Sequence, residues 1–139
     1  MPKTVDDLVS EARATLDRVT AQQTRDELAD GALVIDTRTS EQRTEHGTIP
    51  GAIPIGLNVL EWRLDPTSEW RIPQATGHDV RVIVFCQEGF SSSLAAARLQ
   101  SLGLHRATDV IGGFDAWRDA GLPIERPDPK RGHVRERSG

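Results

Sequence analysis

A chain of 139 residues is long enough to bury one hydrophobic core and short for two. With 37% hydrophobic and 27% charged residues, it has neither the long apolar run of a membrane span nor the make-up of a disordered chain. Seventeen Lys and Arg against 21 Asp and Glu give a net charge of -4, which offers no basic footprint for nucleic acid.

From Met1 the chain runs straight into Lys3, Asp6 and Asp7 without an apolar signal region, so a cytoplasmic location is expected. Val5, Leu8, Val9, Ala12 and Leu16 recur at helical spacing behind Thr4, a suitable cap, and predict a helix over about residues 4–17. This helix forms an N-terminal extension, residues 1–17. A second helix is expected over Thr24 to Ala29, ending near Gly31. The apolar run Leu33, Val34, Ile35 then reads as a buried strand that delivers Asp36 and Arg38 at its carboxyl end. A short surface helix over Ser40 to Glu45, a turn at Gly47, Pro50 and Gly51, and a small strand over Ala52 to Ile55 follow.

Residues 56–79 read as a helical turn and then an irregular loop. Next comes the clearest strand, Val80 to Phe85, apolar without interruption from Val82 as in a sheet covered on both faces. A tight loop leads from Cys86 into a helix that starts near Ser91 or Ser92 and stops at Gly103. Ala107 to Ile111 gives another strand, Gly112 and Gly113 a turn, and Phe114 to Ala120 a helix closed by Gly121. Strands alternating with helices predict an α/β fold with a parallel sheet. Residues 126–139, rich in Pro, Gly, Arg and Ser, read as a flexible solvated tail.

Chemistry concentrates on the one cysteine. Cys86 cannot form an internal disulfide, a CxxC pair or a cysteine-rich zinc site, so any thiol chemistry uses one sulfur. It is the first residue past the most apolar strand, where open parallel sheets bind ligands. Gly89 lets successive amides of the loop Gln87, Glu88, Gly89 and Phe90 turn inward as an anion-binding nest, and the following helix points its positive end at the same place. Both favour thiolate over thiol. The hydroxyls of Ser91 and Ser92 can donate to a bound anion or to a sulfur carried by Cys86. Most free cysteines are small buried hydrophobes, and serines here also suit ordinary helix capping.

These residues carry a resemblance. VIVFCQEGFSS at Val82 to Ser92, IGGFDAW at Ile111 to Trp117, GLPIE at Gly121 to Glu125, VIDTR at Val34 to Arg38 and GTIPGAIPI at Gly47 to Ile55 resemble, in order and spacing, the single-domain rhodaneses. The resemblance implies a rhodanese-like domain over residues 18–125, with a five-stranded parallel sheet and helices on both faces. It further implies a sulfurtransferase in which Cys86 takes a sulfane sulfur from a donor such as thiosulfate or a persulfide. The acceptor would be cyanide, a small thiol or a protein thiol. By the same resemblance Gln87, Glu88, Gly89, Phe90, Ser91 and Ser92 form the substrate cradle, while Asp36 and Arg38 support the active-site face.

Two departures stand out. Thr48 occupies the position after Gly47 where many relatives place His, and Glu88 stands in a loop where thiosulfate-preferring relatives often carry Arg or Lys. Arg63 and Arg71 are the candidate compensating cations, against their ordinary reading as solvated surface side chains. His78, His105 and His133 lack partners at metal-ligand spacing and no nucleotide-binding glycine pattern occurs, so neither metal nor cofactor is expected. Trp62, Trp70, Phe114 and Trp117 are expected in the core or pocket wall. No oligomeric state follows from the sequence. A phosphatase or arsenate reductase of the same fold would carry Arg six positions after its cysteine, where this chain has Ser92. A catalytically silent protein-recognition module is the other alternative, against which the cysteine itself argues.

Overall fold

The computed structural model describes residues 1–126. The expected tail, apart from Arg126, lies outside the described residues. Helix α1 (Val5–Arg13) opens the chain, held by a capping box in which Thr4 and Asp7 bond each other's backbone N–H. Helix α2 (Ala21–Ala29) starts three residues earlier than expected, because Thr20 and Gln23 form a second capping box. Strand β1 (Leu33–Asp36), helix α3 (Ser40–His46), strand β2 (Ile53–Pro54), a 3-10 turn (Leu57–Val59) and helix α4 (Leu60–Leu64) follow. A long irregular segment then returns to strand β3 (Val82–Phe85), helix α5 (Ser91–Ser101), strand β4 (Thr108–Asp109) and helix α6 (Gly113–Asp119).

All strand pairs are parallel, in the order β2-β1-β3-β4, with Ile35 opposite both Ile53 and Val84, and Val84 opposite Asp109. The sheet therefore has four strands, not the five expected. A fifth is present only as a single parallel bridge between Val19 and Val110. Val19 receives no room to extend, because Thr20 already caps α2.

Alternation along the two central strands sorts the core into two layers. Ile35, Val82 and Val84 face Leu60, Leu64, Ala95 and Leu99 of α4 and α5, together with Ile72 and Ala75 from the irregular segment. Val34, Ile83 and Phe85 face Ala21, Phe114 and Trp117 of α2 and α6. Helices thus cover both faces, as β1 and β3, buried on both sides, require. Helix α1 packs on α5 through Val9 and Ala12. Phe114 and Trp117 lie in the core as expected, but Trp62 and Trp70 are 57% and 62% exposed: Leu60 and Leu64 take the inward face of α4 in place of Trp62, and Trp70 lies in the irregular segment, where Ile72 and Ala75 turn inward.

This framework brings the N-terminus of α6 against the loop after β3. The backbone N–H groups of Phe114 and Asp115 donate to the carbonyls of Cys86 and Gln87 at 2.9 and 3.0 Å. Gly113, at φ +59°, makes that approach: a Cβ there would fall on the Cys86 carbonyl and the Gly89 nitrogen. Gly113→Ala should therefore lower stability by more than the roughly 1–2 kcal/mol of a left-handed alanine, read as the urea midpoint at unchanged m value.

Candidate active site

Cys86 sits at the carboxyl end of β3, 8% exposed, at the floor of an open cavity of about 310 Å³ lined by Thr37, Arg38, Leu57, Glu88, Phe90 and Ser91 among others. Gly89, at φ +93°, reverses the loop so that its own N–H donates to Cys86 Sγ at 3.1 Å. Burial pushes the thiol up, but hydrogen bonds from Ser92, Ser91 and Gly89 outweigh it and hold Cys86 below the ordinary thiol range.

Ser92 has one hydroxyl proton and two calls on it. Its Oγ donates to Asp109 Oδ2 at 2.8 Å, and the carboxylate is the stronger acceptor. We therefore assign that proton to Asp109, leaving Ser91 as the hydroxyl that faces the cavity. The Ser92 side chain is buried behind the cavity wall, while its backbone N–H remains among the donors to Cys86.

Asp36 and Arg38 form a buried, bidentate pair with bonds of 3.0 and 2.9 Å. The remaining donors of Arg38 reach the Gly47 carbonyl at 2.8 Å and Gln87 Oε1 at 3.0 Å, while the guanidinium lies 4.2 Å from the Phe114 ring centroid. Gln87 in turn donates to Asp115 Oδ1 at 2.7 Å. Both ends of the Gln87 side chain are thus tied to the scaffold, so its contribution to the cradle is confined to its backbone. Glu88 and Phe90 are exposed on the rim.

Arg63 and Arg71 do not line this cavity. Arg63 donates to the Trp70 carbonyl at 2.8 Å, and Arg71 spans the carbonyls of Ile72 and Ala75. They organise the irregular segment instead of compensating Glu88.

Three residues at the back of the site escaped the sequence reading. Asp109, wholly buried on β4, accepts from Arg18 Nε at 2.8 Å and from the hydroxyls of Ser92 and Ser93. Arg18 Nη2 also donates to the Gly89 carbonyl at 3.0 Å, and Arg13 Nη2 reaches the same oxygen at 2.8 Å. A signal existed: an aspartate inside an apolar strand needs a cationic partner, and Arg13 shares the inward face of α1 with Val9.

Fold and site together define a parallel α/β domain that presents one activated cysteine in an amide-lined loop. The chain belongs to the family of the Rhodanese-like domain, whose model matches residues 20–120. It is 31% identical to a sulfurtransferase of Allochromatium vinosum over 96 residues, which are 69% of this chain and 80% of that protein. It is 33% identical over 96 residues to the thiosulfate sulfurtransferase GlpE of Actinobacillus succinogenes, covering 69% of this chain and 78% of that one. Among solved structures it is similar to RPA3614 of Rhodopseudomonas palustris, described as a protein of unknown function and possible tyrosine phosphatase. That match has a TM-score of 0.79 and 31% identity, and covers 90% of this chain and 99% of the other. Among the described residues no helix is long and apolar enough to cross a membrane.

The lowered thiol titration has a direct readout. The rate of Cys86 alkylation by iodoacetamide should rise with pH to a plateau whose midpoint lies below that of the same chain unfolded in urea, near 8.5 for a free cysteine. Because the folded midpoint is the lower one, the thiolate's contribution to stability is present above the unfolded midpoint and is lost as pH falls through the folded one.

Proposed function

We propose that the protein is a sulfurtransferase in which Cys86 carries a sulfane sulfur as a persulfide. The observation that carries this reading is the convergence of the Gly89 amide and the serine-bearing start of α5 on a thiol held below its ordinary range. The Cys86 thiolate attacks the outer sulfur of the donor, forming an S–S bond at Sγ while the donor's own S–S bond breaks and its electron pair leaves with sulfite or a thiolate. Loop amides then stabilise the terminal persulfide anion as they did the thiolate. An acceptor nucleophile, a thiol or cyanide, takes the outer sulfur and returns the thiolate. No net redox change falls on the protein, so no cofactor is required.

Glu88 on the rim favours donors of low charge over doubly charged thiosulfate, while the exposed Leu57 and Phe90 offer apolar contact to an organic persulfide or a protein thiol. The likeness to RPA3614 raises phosphatase chemistry as a second reading. Ser92 weighs against it. Six positions after the cysteine, a buried hydroxyl bonded to Asp109 replaces the guanidinium that would clamp a tetrahedral oxyanion on two sides.

On exposure to thiosulfate or a small persulfide, the intact mass should gain one sulfur atom and lose it again to cyanide or a thiol. Cys86→Ser should do neither at unchanged melting temperature. Sulfane-donor turnover by the serine variant would refute the reading, and phosphomonoester turnover that disappears in Cys86→Ser would support the phosphatase instead. Glu88→Lys should raise kcat/KM for thiosulfate several-fold, more at low ionic strength, with a smaller response for a neutral persulfide donor.

A further inference from the structure

The helix that precedes the family-matched segment ends on the cysteine loop. Arg13, the last residue of α1, makes three contacts there. Its Nη2 donates to the Gly89 carbonyl at 2.8 Å and its Nε donates to Ser93 Oγ at 3.1 Å. The guanidinium carbon also stands 5.4 Å from the centroid of the Phe90 ring on the cavity rim. Arg18 adds a second donor to the same carbonyl from the segment before α2. Arg13 lies outside residues 20–120, so the family match says nothing about it.

Peptide geometry turns these contacts into an effect on the site. Among the described residues no peptide bond is cis, so in the unit joining Gly89 and Phe90 the C=O and N–H point in opposite directions. Holding the carbonyl outward on two guanidiniums sends the Phe90 N–H away from them, and polarises that peptide as a donor. It also pins Gly89 at the positive φ that brings its own N–H to Cys86 Sγ. The geometry points to Arg13 as a positioning residue for Cys86, making α1 a working part of the site rather than an appendage. Its kinetic consequence rests on the sulfur-carrier reading above, but its effect on the thiol does not.

The other charged groups facing Cys86 and its loop are the Asp36–Arg38 pair at the end of β1, Glu88 in the loop, Asp109 on β4 with Arg18, and Asp115 at the start of α6. All remain when Arg13 alone is changed. The test compares Arg13→Met, Arg13→Lys and Val9→Ala, the last loosening the packing of α1 without touching the loop, in the full chain. The readouts are the pH midpoint of Cys86 alkylation, the melting temperature, and kcat and KM for a sulfane donor.

Arg13→Met should raise the alkylation midpoint by about half a unit, leaving roughly threefold less thiolate at pH values below it. It should also lower kcat several-fold with KM little changed. Arg13→Lys should recover only part of both, because an ammonium cannot hold the carbonyl and Ser93 in one planar fork. Val9→Ala should lower the melting temperature and leave the midpoint and kcat where they were. An unmoved midpoint in Arg13→Met, or a midpoint that shifts equally in Val9→Ala, would overturn the assignment. Full recovery by lysine would overturn it too, showing that charge alone acts. Should Arg13→Met fail to fold, the lysine variant carries the same decision. A wild-type protein that transfers no sulfur from any donor would defeat the proposed function while leaving the alkylation comparison intact.

Discussion

Folding the loop back so that the Gly89 N–H reaches the Cys86 sulfur has a counterpart: carbonyls of the same loop turn into the protein, and once buried they need donors there. Much of the molecule around Cys86 answers that requirement. The carbonyls of Cys86 and Gln87 are met by the first free N–H groups of α6. The Gly89 carbonyl is met by Arg13 and Arg18. From the other side, the Asp36–Arg38 pair fixes the Gln87 side chain, which fixes Asp115 and so the start of α6. The loop is thus suspended between two helices and one strand end. Without α6 the carbonyls of Cys86 and Gln87 would lose their donors, and an unpaired buried polar group costs about 1–3 kcal/mol, whereas without α1 the Gly89 carbonyl would be left to Arg18 alone.

Such a frame explains why arginine, and not lysine, recurs behind the site. Arg38 serves Asp36, Gly47 and Gln87 while stacking on Phe114, and Arg18 serves Asp109 and Gly89 together. A planar group with five fixed donors can satisfy several acceptors at once, whereas an ammonium is a compact point charge that sheds its water reluctantly. The serines contribute in the same economical way: Ser92 and Ser93 converge on one oxygen of Asp109, so a single buried carboxylate anchors the start of α5 to β4. The positive end of that helix is thereby fixed relative to the sulfur it faces.

Local signals made much of this legible in the sequence. The unbroken run of Val82 to Phe85, the glycine inside a four-residue loop, and the Asp36 and Arg38 exit of the first strand each encode their role in neighbouring residues. The helix starts at Thr4 and Thr20 obey one capping rule, but the largely polar residues behind Thr20 lack the apolar periodicity that marks α1, so the second start is harder to see in the sequence. Less visible were features that depend on distant partners. Asp109 is 91 residues from Arg18 and 16 from Ser93, and no local pattern joins them. Trp62 departs from expectation for a related reason: it and Leu60 lie two positions apart on one short helix, and only the packing decides which turns inward. The fifth strand was expected from resemblance, while the bridge at Val19 is all that fits before Thr20 begins a helix.

That shortened strand has a bearing on how the sheet meets other chains. A parallel sheet ends in two open ladders, each a template for pairing with a foreign strand. Here one border is β2, two residues long and including Pro54, which carries no N–H to offer. The opposite border is covered at Val110 by the single bridge from Val19, after which the covering chain departs as α2. Neither margin presents the long row of alternating donors and acceptors that edge-to-edge association needs. The sheet is closed to extension by brevity and by proline, without a barrel or an added domain.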